Sequence, residues 1–206
     1  MGRSQTHKKE SHDRIVRMAA ARFRESGVDG IGVAKLMSDS GLTHGGFYRH
    51  FASRDELVAE ATECALRDGG RAVTALARLE HGAWRKLVDA YLSPAHRDGW
   101  ATSCAVTTLA ADVARSNERA RSAYTNQVGV YLALLAGLLE GERRGAARSR
   151  RKQAIAALST LVGAVSMARA VNDKKLSEEI LKAAADELKS HLALPSTQRR
   201  LRRHGA

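Results

Sequence analysis

Aromatic side chains make up only 4% of these 206 residues, and proline is scarcer still, with Pro94 and Pro195 the only two. Little therefore interrupts a helix, and Ala, Leu and Arg, which lose little on entering one, dominate the composition. The expected fold class is all-α. Cysteine is limited to Cys64 and Cys104. Without a CxxC spacing, they give neither a disulfide framework nor a zinc site. No apolar run approaches the roughly 18–20 residues of a membrane-spanning helix. The first ten residues lack the apolar segment of a signal peptide. Gly2 and Thr6 match a loose myristoylation pattern, but one acyl chain anchors poorly. A cytoplasmic protein with no membrane partner is expected. HExxH, GxSxG and phosphate-binding loops are missing and the eight histidines are scattered, so no enzyme, metal or cofactor is expected. Acidic residues number 22 against 34 basic ones, a formal net charge of +12. Such an excess calls for a polyanionic partner or an anionic surface and says nothing about fold.

What is present is helical periodicity. Ile15, Val16, Ala19, Ala20 and Phe23 recur at three- and four-residue steps, predicting a first helix over Ser11–Ser26. Ser11 is its N-cap, Gly27 its stop, and Arg14, Arg17 and Arg24 take the outer face. A second helix runs from about Val33 to Ser40 with Leu36 and Met37 inward. After the Gly41 turn, Thr43 can cap a two-turn third helix ending near His50. Ser53-Arg54-Asp55-Glu56 reads as a capping box, opening a helix to about Leu79. Beyond it, helices are expected near 82–93, 101–115, 117–142, 147–171 and 177–192. Ser93-Pro94 is a break, His96–Gly99 a loop, and Ser116 and Ser177 caps. Leu176 and Leu181 form a hydrophobic staple. The last two helices carry broad apolar faces, open to a subunit interface or to burial within the monomer. From Ser196 the basic tail has no apolar pattern.

The third helix carries the chemistry. Gly45 and Gly46 each cost up to about 1 kcal/mol in a helix interior. One reason to accept that cost is a close backbone approach to another surface, here a groove or a phosphate. Around them His44, Tyr48, Arg49 and His50 can donate hydrogen bonds to phosphates or base edges. Phe47 and Phe51 read as core anchors. Arg54 opens the next helix, where a cation is poorly placed for the dipole. That placement suits a phosphate contact, with an ordinary solvated charge as the alternative. The turn Ser40-Gly41-Leu42-Thr43 is what a helix-turn-helix needs.

The run from Gly41 to Leu57, with Ile15–Gly27 upstream, resembles the signature of the tetracycline-repressor (TetR) family, the match extending over residues 11–66. The resemblance implies an all-helical homodimer with three parts. Residues 1–53 would be an arm and a helix-turn-helix DNA-binding domain, 54–194 a ligand-binding and dimerisation domain, and 195–206 a basic disordered tail. It implies phosphate contacts at Tyr48, His50 and Arg54, and a segment Thr43–Gly46 facing the major groove. Readout would rest on His44, Thr43 and Lys35. Gly32 stands where the family often has a capping Ser or Thr, and Arg54 where Lys is commoner. The expected partners are double-stranded operator DNA, a small-molecule effector, and a second copy joined through helices 147–171 and 177–192.

Pocket candidates in the second half are Trp84, Val88, Tyr91, Trp100, Cys104, Thr107, Thr108, Tyr131, Leu135 and Met167, with plain core packing as the alternative for each. Ser103-Cys104-Ala105-Val106, followed by Leu109, Asp112 and Arg115, resembles a subset of the family whose cysteine senses electrophiles or oxidants. The alternative is a small buried hydrophobe. The functional expectation is a ligand-released repressor on a palindrome. Two others are a Cys104 thiol sensor and a non-specific, nucleoid-type DNA binder. The basic run Arg143, Arg144, Arg148, Arg150, Arg151 and Lys152 reads as solvated surface between helices.

Overall fold

A computed structural model describes residues 2–77, 83–142 and 147–193. Every element in them is helical: α1 (Gly2–Ser26), α2 (Val33–Asp39), a 3-10 segment His44–Arg49, α3 (Arg54–Ala77), α4 (Ala83–Tyr91), α5 (Pro94–Asp98), a 3-10 turn Trp100–Thr102, α6 (Ala105–Thr108), α7 (Ala110–Ala114), α8 (Glu118–Glu142), α9 (Ala147–Ala170) and α10 (Lys174–Ala193). The all-α expectation holds across the described residues. The tail from 195, with Arg143 and Arg144 of the basic run, lies outside them.

The chain divides into two compact units. The first gathers the residues up to Arg71 together with Gly99–Val128. Its core is the expected stripe of α1 (Ile15, Val16, Ala19, Ala20 and Phe23, none more than 8% exposed) with Leu36, Met37, Phe47, Phe51, Leu57, Leu109 and Val113. Segments distant in sequence are tied within this unit by hydrogen bonds. Asp112 Oδ1 accepts from the Val28 N–H at 3.2 Å, and Asn117 Nδ2 donates to the Asp55 carbonyl at 3.0 Å. Arg119 forks onto both Glu63 oxygens at 2.7 and 3.0 Å.

The second unit gathers Ala72–Asp98 and the described residues from Gly129 onward. α9 packs on α10, and Ala157, Leu158, Leu161, Ala164, Val165 and Ala168 of the first and Leu181, Ala185 and Leu188 of the second are buried. Trp84 of α4 is buried, with its indole N–H on the Leu188 carbonyl at 3.3 Å. α9 is also long and apolar enough to cross a membrane by length and composition, against the sequence expectation of no such run. Ile155, Leu158, Leu161, Val162 and Val165 supply most of that character, and part of the span is buried.

Several boundaries differ from the expected ones, each for a local reason. α1 starts nine residues early, at Gly2, because Gln5, Lys8, Lys9 and Glu10 are good helix formers. Ser11 is therefore inside the helix, where its Oγ accepts from Arg14 at 3.4 Å. Arg24 is not on the outer face but 8% exposed. One turn past Ala20, it falls on the apolar stripe and donates to the Ala65 carbonyl at 3.3 Å. Burial pulls the pKa of this guanidinium down. The expected break at Ser93-Pro94 follows α4, but Pro94 also opens α5, so His96–Asp98, expected as loop, is helical. Proline suits the first helical position, where no N–H is needed. Ser93 Oγ caps α5 by accepting from His96 N–H at 3.1 Å. The expected 101–115 helix is broken into the 3-10 turn, α6 and α7. Asn117, not Ser116, caps α8, accepting from Ala120 N–H at 2.9 Å. Asp173, not Ser177, caps α10 through the N–H groups of Lys175 and Leu176. Ser177 is buried one turn further on, donating to Ala168 O at 2.6 Å and accepting from Arg97 at 2.9 Å. Leu176 remains 42% exposed, so no staple forms with Leu181.

Candidate nucleic-acid interface

The turn after α2 is built on Gly41. It sits at φ +71°, a left-handed conformation glycine adopts without steric cost. The Leu42 N–H then donates back to Met37 O at 2.9 Å, which reverses the chain into Thr43. This is the tight turn of a helix-turn-helix. Thr43 is exposed and extended, and the expected side-chain cap is not made. Beyond it the chain winds as a 3-10 segment rather than an α-helix, with Gly46 N–H on Thr43 O at 3.0 Å. Paired glycines weaken the α alternative, and short 3-10 pieces are where the chain goes instead.

One aromatic pins this segment. Phe47 is 2% exposed and stacks on Phe51 at 5.4 Å, so both are the core anchors expected. With Phe47 inward, His44, Gly45, Tyr48 and Arg49 face solvent. Tyr48 is 74% exposed, its ring edge-on to Phe47 at 5.2 Å. A phenol held by a buried neighbour yet left in water is a displayed donor rather than a core residue. A Cβ at Gly45 would meet nothing within 4 Å. A Cβ at Gly46 would make only ordinary contacts, 3.6 Å to Thr43 Oγ1 and 3.7 Å to Met37 Cε. Folding thus demands glycine at neither position.

The remaining sequence candidates differ in how far they are committed within the chain. His50 is half-buried and its Nδ1 is shielded, with no hydrogen-bond partner among the described residues. Burial first, then the charges of His12, Lys8 and Arg49, hold its pKa below the usual histidine value. Lys35 is exposed and reaches Asp39 at 2.5 Å. Asp39 also pairs with Arg22 at 3.1 Å, and its pKa is lowered, mainly by the Lys35 hydrogen bond. Arg54 is engaged within the chain, donating to the Val28 carbonyl at 2.6 Å and to Asp29 at 3.1 Å. It braces the α1–α2 turn with these two bonds, so it is not the ordinary solvated charge considered from sequence, and its side chain stays 39% exposed. The capping box forms in modified register: Glu56 N–H donates to Ser53 Oγ at 3.2 Å, while the Glu56 carboxylate takes the Ala52 N–H at 2.6 Å. Gly32 precedes α2 in extended backbone with no side-chain cap.

Sequence reasoning missed His12. It lies 2.7 Å from Glu60, its ring stacked on Phe51 at 4.6 Å and 6.2 Å from the His50 ring. Its only signal is its register on α1, one turn before the buried Val16.

The pocket candidates fall in both compact units. In the second, Trp84, Val88, Tyr91, Tyr131 and Leu135 are buried, whereas Met167 is 55% exposed and so lines no core. In the first, Cys104 and Thr107 are buried, Thr108 is half-buried and Trp100 is 41% exposed. Cys104 occupies the cap position of α6, where its carbonyl accepts from Thr107 and Thr108 N–H. Neither cysteine is in a disulfide. The described residues contain no cluster of three or more metal-ligating side chains.

Residues 15–61 match the family described as bacterial regulatory proteins, tetR family. No curated protein matches the chain. Similar solved structures include the Escherichia coli NemR protein in its reduced form (22% identity, TM-score 0.71, covering 88% of this chain and 96% of that one). A TetR-family transcriptional regulator from Cytophaga hutchinsonii is 14% identical, with TM-score 0.74 and coverage of 89% and 96%. One from Chloroflexus aurantiacus is 23% identical, with TM-score 0.73 and the same two coverages. The helix-turn-helix head of this chain is thus similar to that of the tetR family of bacterial regulatory proteins, and the chain shares the fold of solved TetR-type transcriptional regulators.

Proposed function

We propose that the chain is a ligand-responsive repressor that binds a palindromic operator as a dimer and leaves it when a small molecule binds. Residues 1–53 serve as the DNA-binding part and 54–194 as the effector-binding and dimerisation part, in the cytoplasm where the operator is. The observation that carries this reading is Tyr48, displayed in solvent beside the buried Phe47 and the unobstructed Gly45. Thr43, His44, Gly45 and Gly46 enter the major groove. Tyr48, Arg49 and His50 hold phosphates on either side, so affinity is largely positional and electrostatic. Arg54, whose bonds to Val28 and Asp29 fix the turn before α2, offers its remaining donors to a phosphate, and Lys35 contributes once DNA competes with Asp39. With few side chains near base edges, part of the sequence choice comes from DNA shape.

The dimer is supported by an uncharged stripe on α9. Ile155, Ser159, Val162, Gly163, Ser166, Met167 and Ala170 recur at helical spacing and are exposed or half-exposed. Ile180, Ala183 and Ala184 of α10 carry similar character beside them in sequence. A two-fold pairing through these helices sets two heads about one DNA turn apart, roughly 34–36 Å. Gel-shift titration tests the reading: Tyr48→Ala lowers operator affinity, whereas unchanged affinity refutes the docking. A nucleoid-type binder is separated by salt. A specific regulator keeps a large specific-to-nonspecific ratio at physiological salt, and a nucleoid protein does not.

A second reading is favoured by the setting of Cys104. It is buried at the cap position of α6, close enough to the buried Arg24 guanidinium for the two to interact. In this reading Cys104 adds to an electron-poor alkene: the sulfur–carbon bond forms as the π pair moves to the neighbouring carbon, which takes the thiol's proton. Operator release by such a compound that is lost in Cys104→Ser supports thiol sensing; release that persists removes it.

A further inference from the structure

Resting on the DNA-binding reading above, we propose that the DNA-contacting surface continues past the 3-10 segment onto the first turns of α1, where Lys8 and Lys9 together hold one operator phosphate per subunit. α1 is continuous from Gly2 to Ser26, so its exposed N-terminal turns share the register of the turns packed on the head. His12 fixes which face is turned toward the reading segment, through its stack on Phe51 at 4.6 Å and its 6.2 Å approach to His50. Residues three and four positions away lie on the same helix face. Before His12 these are Lys9 and Lys8, both exposed. At 1.5 Å per residue, Lys8 lies about 6 Å along the axis from His12, within the reach of its own side chain. Lys8 is also among the charges that depress the pKa of His50, which agrees with that placement.

Most carboxylates around this edge already have partners within the chain. Glu60 is taken by His12 at 2.7 Å, Glu10 lies 3.4 Å from His7, and Glu56 accepts the Ala52 N–H. Asp13, half-buried and one turn beyond Lys9, is the carboxylate closest to the pair in register. Neither lysine has a salt-bridge partner among the described residues. The first turn of α1 contains no acidic residue, although acidic residues are what a helix N-terminus favours. Lys8, Lys9 and Arg49 thus form one cationic edge beside His50 and Tyr48. An extended duplex, whose phosphates run along the flank of the groove read by the 3-10 segment, supplies the matching anion.

The test uses the full chain and the operator duplex that it selects, comparing wild type, Lys8→Gln/Lys9→Gln and a charge control, Lys182→Gln. Glutamine preserves helix propensity, so the fold is retained. Losing one phosphate per subunit flattens the slope of log affinity against log salt by about 0.9 per contact, or ~1.8 for a dimer. The affinity defect therefore shrinks about 12-fold between 50 and 200 mM salt. Phosphate-ethylation interference loses one position per half-site. A slope and interference pattern equal to those of Lys182→Gln overturn the inference while leaving the DNA-binding reading intact. A wild-type chain that selects no operator overturns both.

Discussion

Replacing Gly45 with alanine separates folding from DNA binding. A Cβ there meets nothing within 4 Å, and the residue has no left-handed φ. Within the free protein the methyl therefore costs nothing and removes the excess backbone freedom of glycine, a gain of up to about 1 kcal/mol. On DNA the same methyl occupies the space through which the segment approaches the groove. Overpacking of a close contact costs roughly 1–3 kcal/mol, a loss of about 5- to 150-fold in operator affinity per head. The expected outcome is a variant whose thermal midpoint equals or exceeds wild type while its gel-shift titration weakens by at least fivefold. Gly30→Ala is the contrasting control, because its Cβ would stand 1.9 Å from the Ser26 carbonyl oxygen; it is expected to lose stability. Wild-type operator affinity in Gly45→Ala, or a lowered midpoint, would refute the reasoning that this glycine serves an approaching surface.

Other outcomes rest on the same geometry. Asp112→Ala removes the acceptor of the Val28 N–H and is expected to cost about 1–3 kcal/mol in denaturant unfolding, whereas Asp112→Asn, which keeps Oδ1, restores most of it; equal losses would contradict a hydrogen-bonding role. Phe51→Ala empties the junction of Phe47, His12 and the α1 stripe and is expected to cost about 3–5 kcal/mol, measured by urea unfolding. Burial holds the pKa values of His50 and His96 below the ordinary 6.5, so the native state binds fewer protons than the unfolded one below that pH. Their stability contribution is full above about pH 6.5 and is lost as pH falls through the lower native values. A His96→Gln chain is expected to show a flatter decline in thermal midpoint between pH 7 and 5; an unchanged slope would remove His96 from that account.

Much of the head was legible because its signals are local. The three- and four-residue spacing of Ile15 to Phe23, the Gly41 turn, and Phe47 as anchor depend on neighbours a few positions away, and the folded chain places them as expected. What escaped depended on distant partners or on competing caps. Arg24 reads as a surface charge until the Ala65 carbonyl is placed beside it. Arg54 reads as a contact to phosphate or a solvated charge, and its bonds to the distant Val28 carbonyl and Asp29 leave no trace in the sequence. Ser177 has a good cap's chemistry, but Asp173 lies at the actual start of α10, leaving the hydroxyl to join Arg97 and Ala168. The early start of α1 was hidden because Gln5 to Glu10 bury nothing, and hydrophobic periodicity reports only buried faces. The pocket candidates were the least legible: no spacing rule separates a buried Trp84 that packs from one that lines a cavity.

The most direct test of the central claim is selection of duplexes from a random pool by the full chain at physiological salt, followed by protection of the enriched sequence. The expected result is an inverted repeat with half-sites about one helical turn apart, covered by two copies of the chain and released from protection in Tyr48→Ala. Enrichment of no sequence over nonspecific DNA, or protection indifferent to Tyr48, would contradict the claim that the His44–Arg49 segment reads an operator.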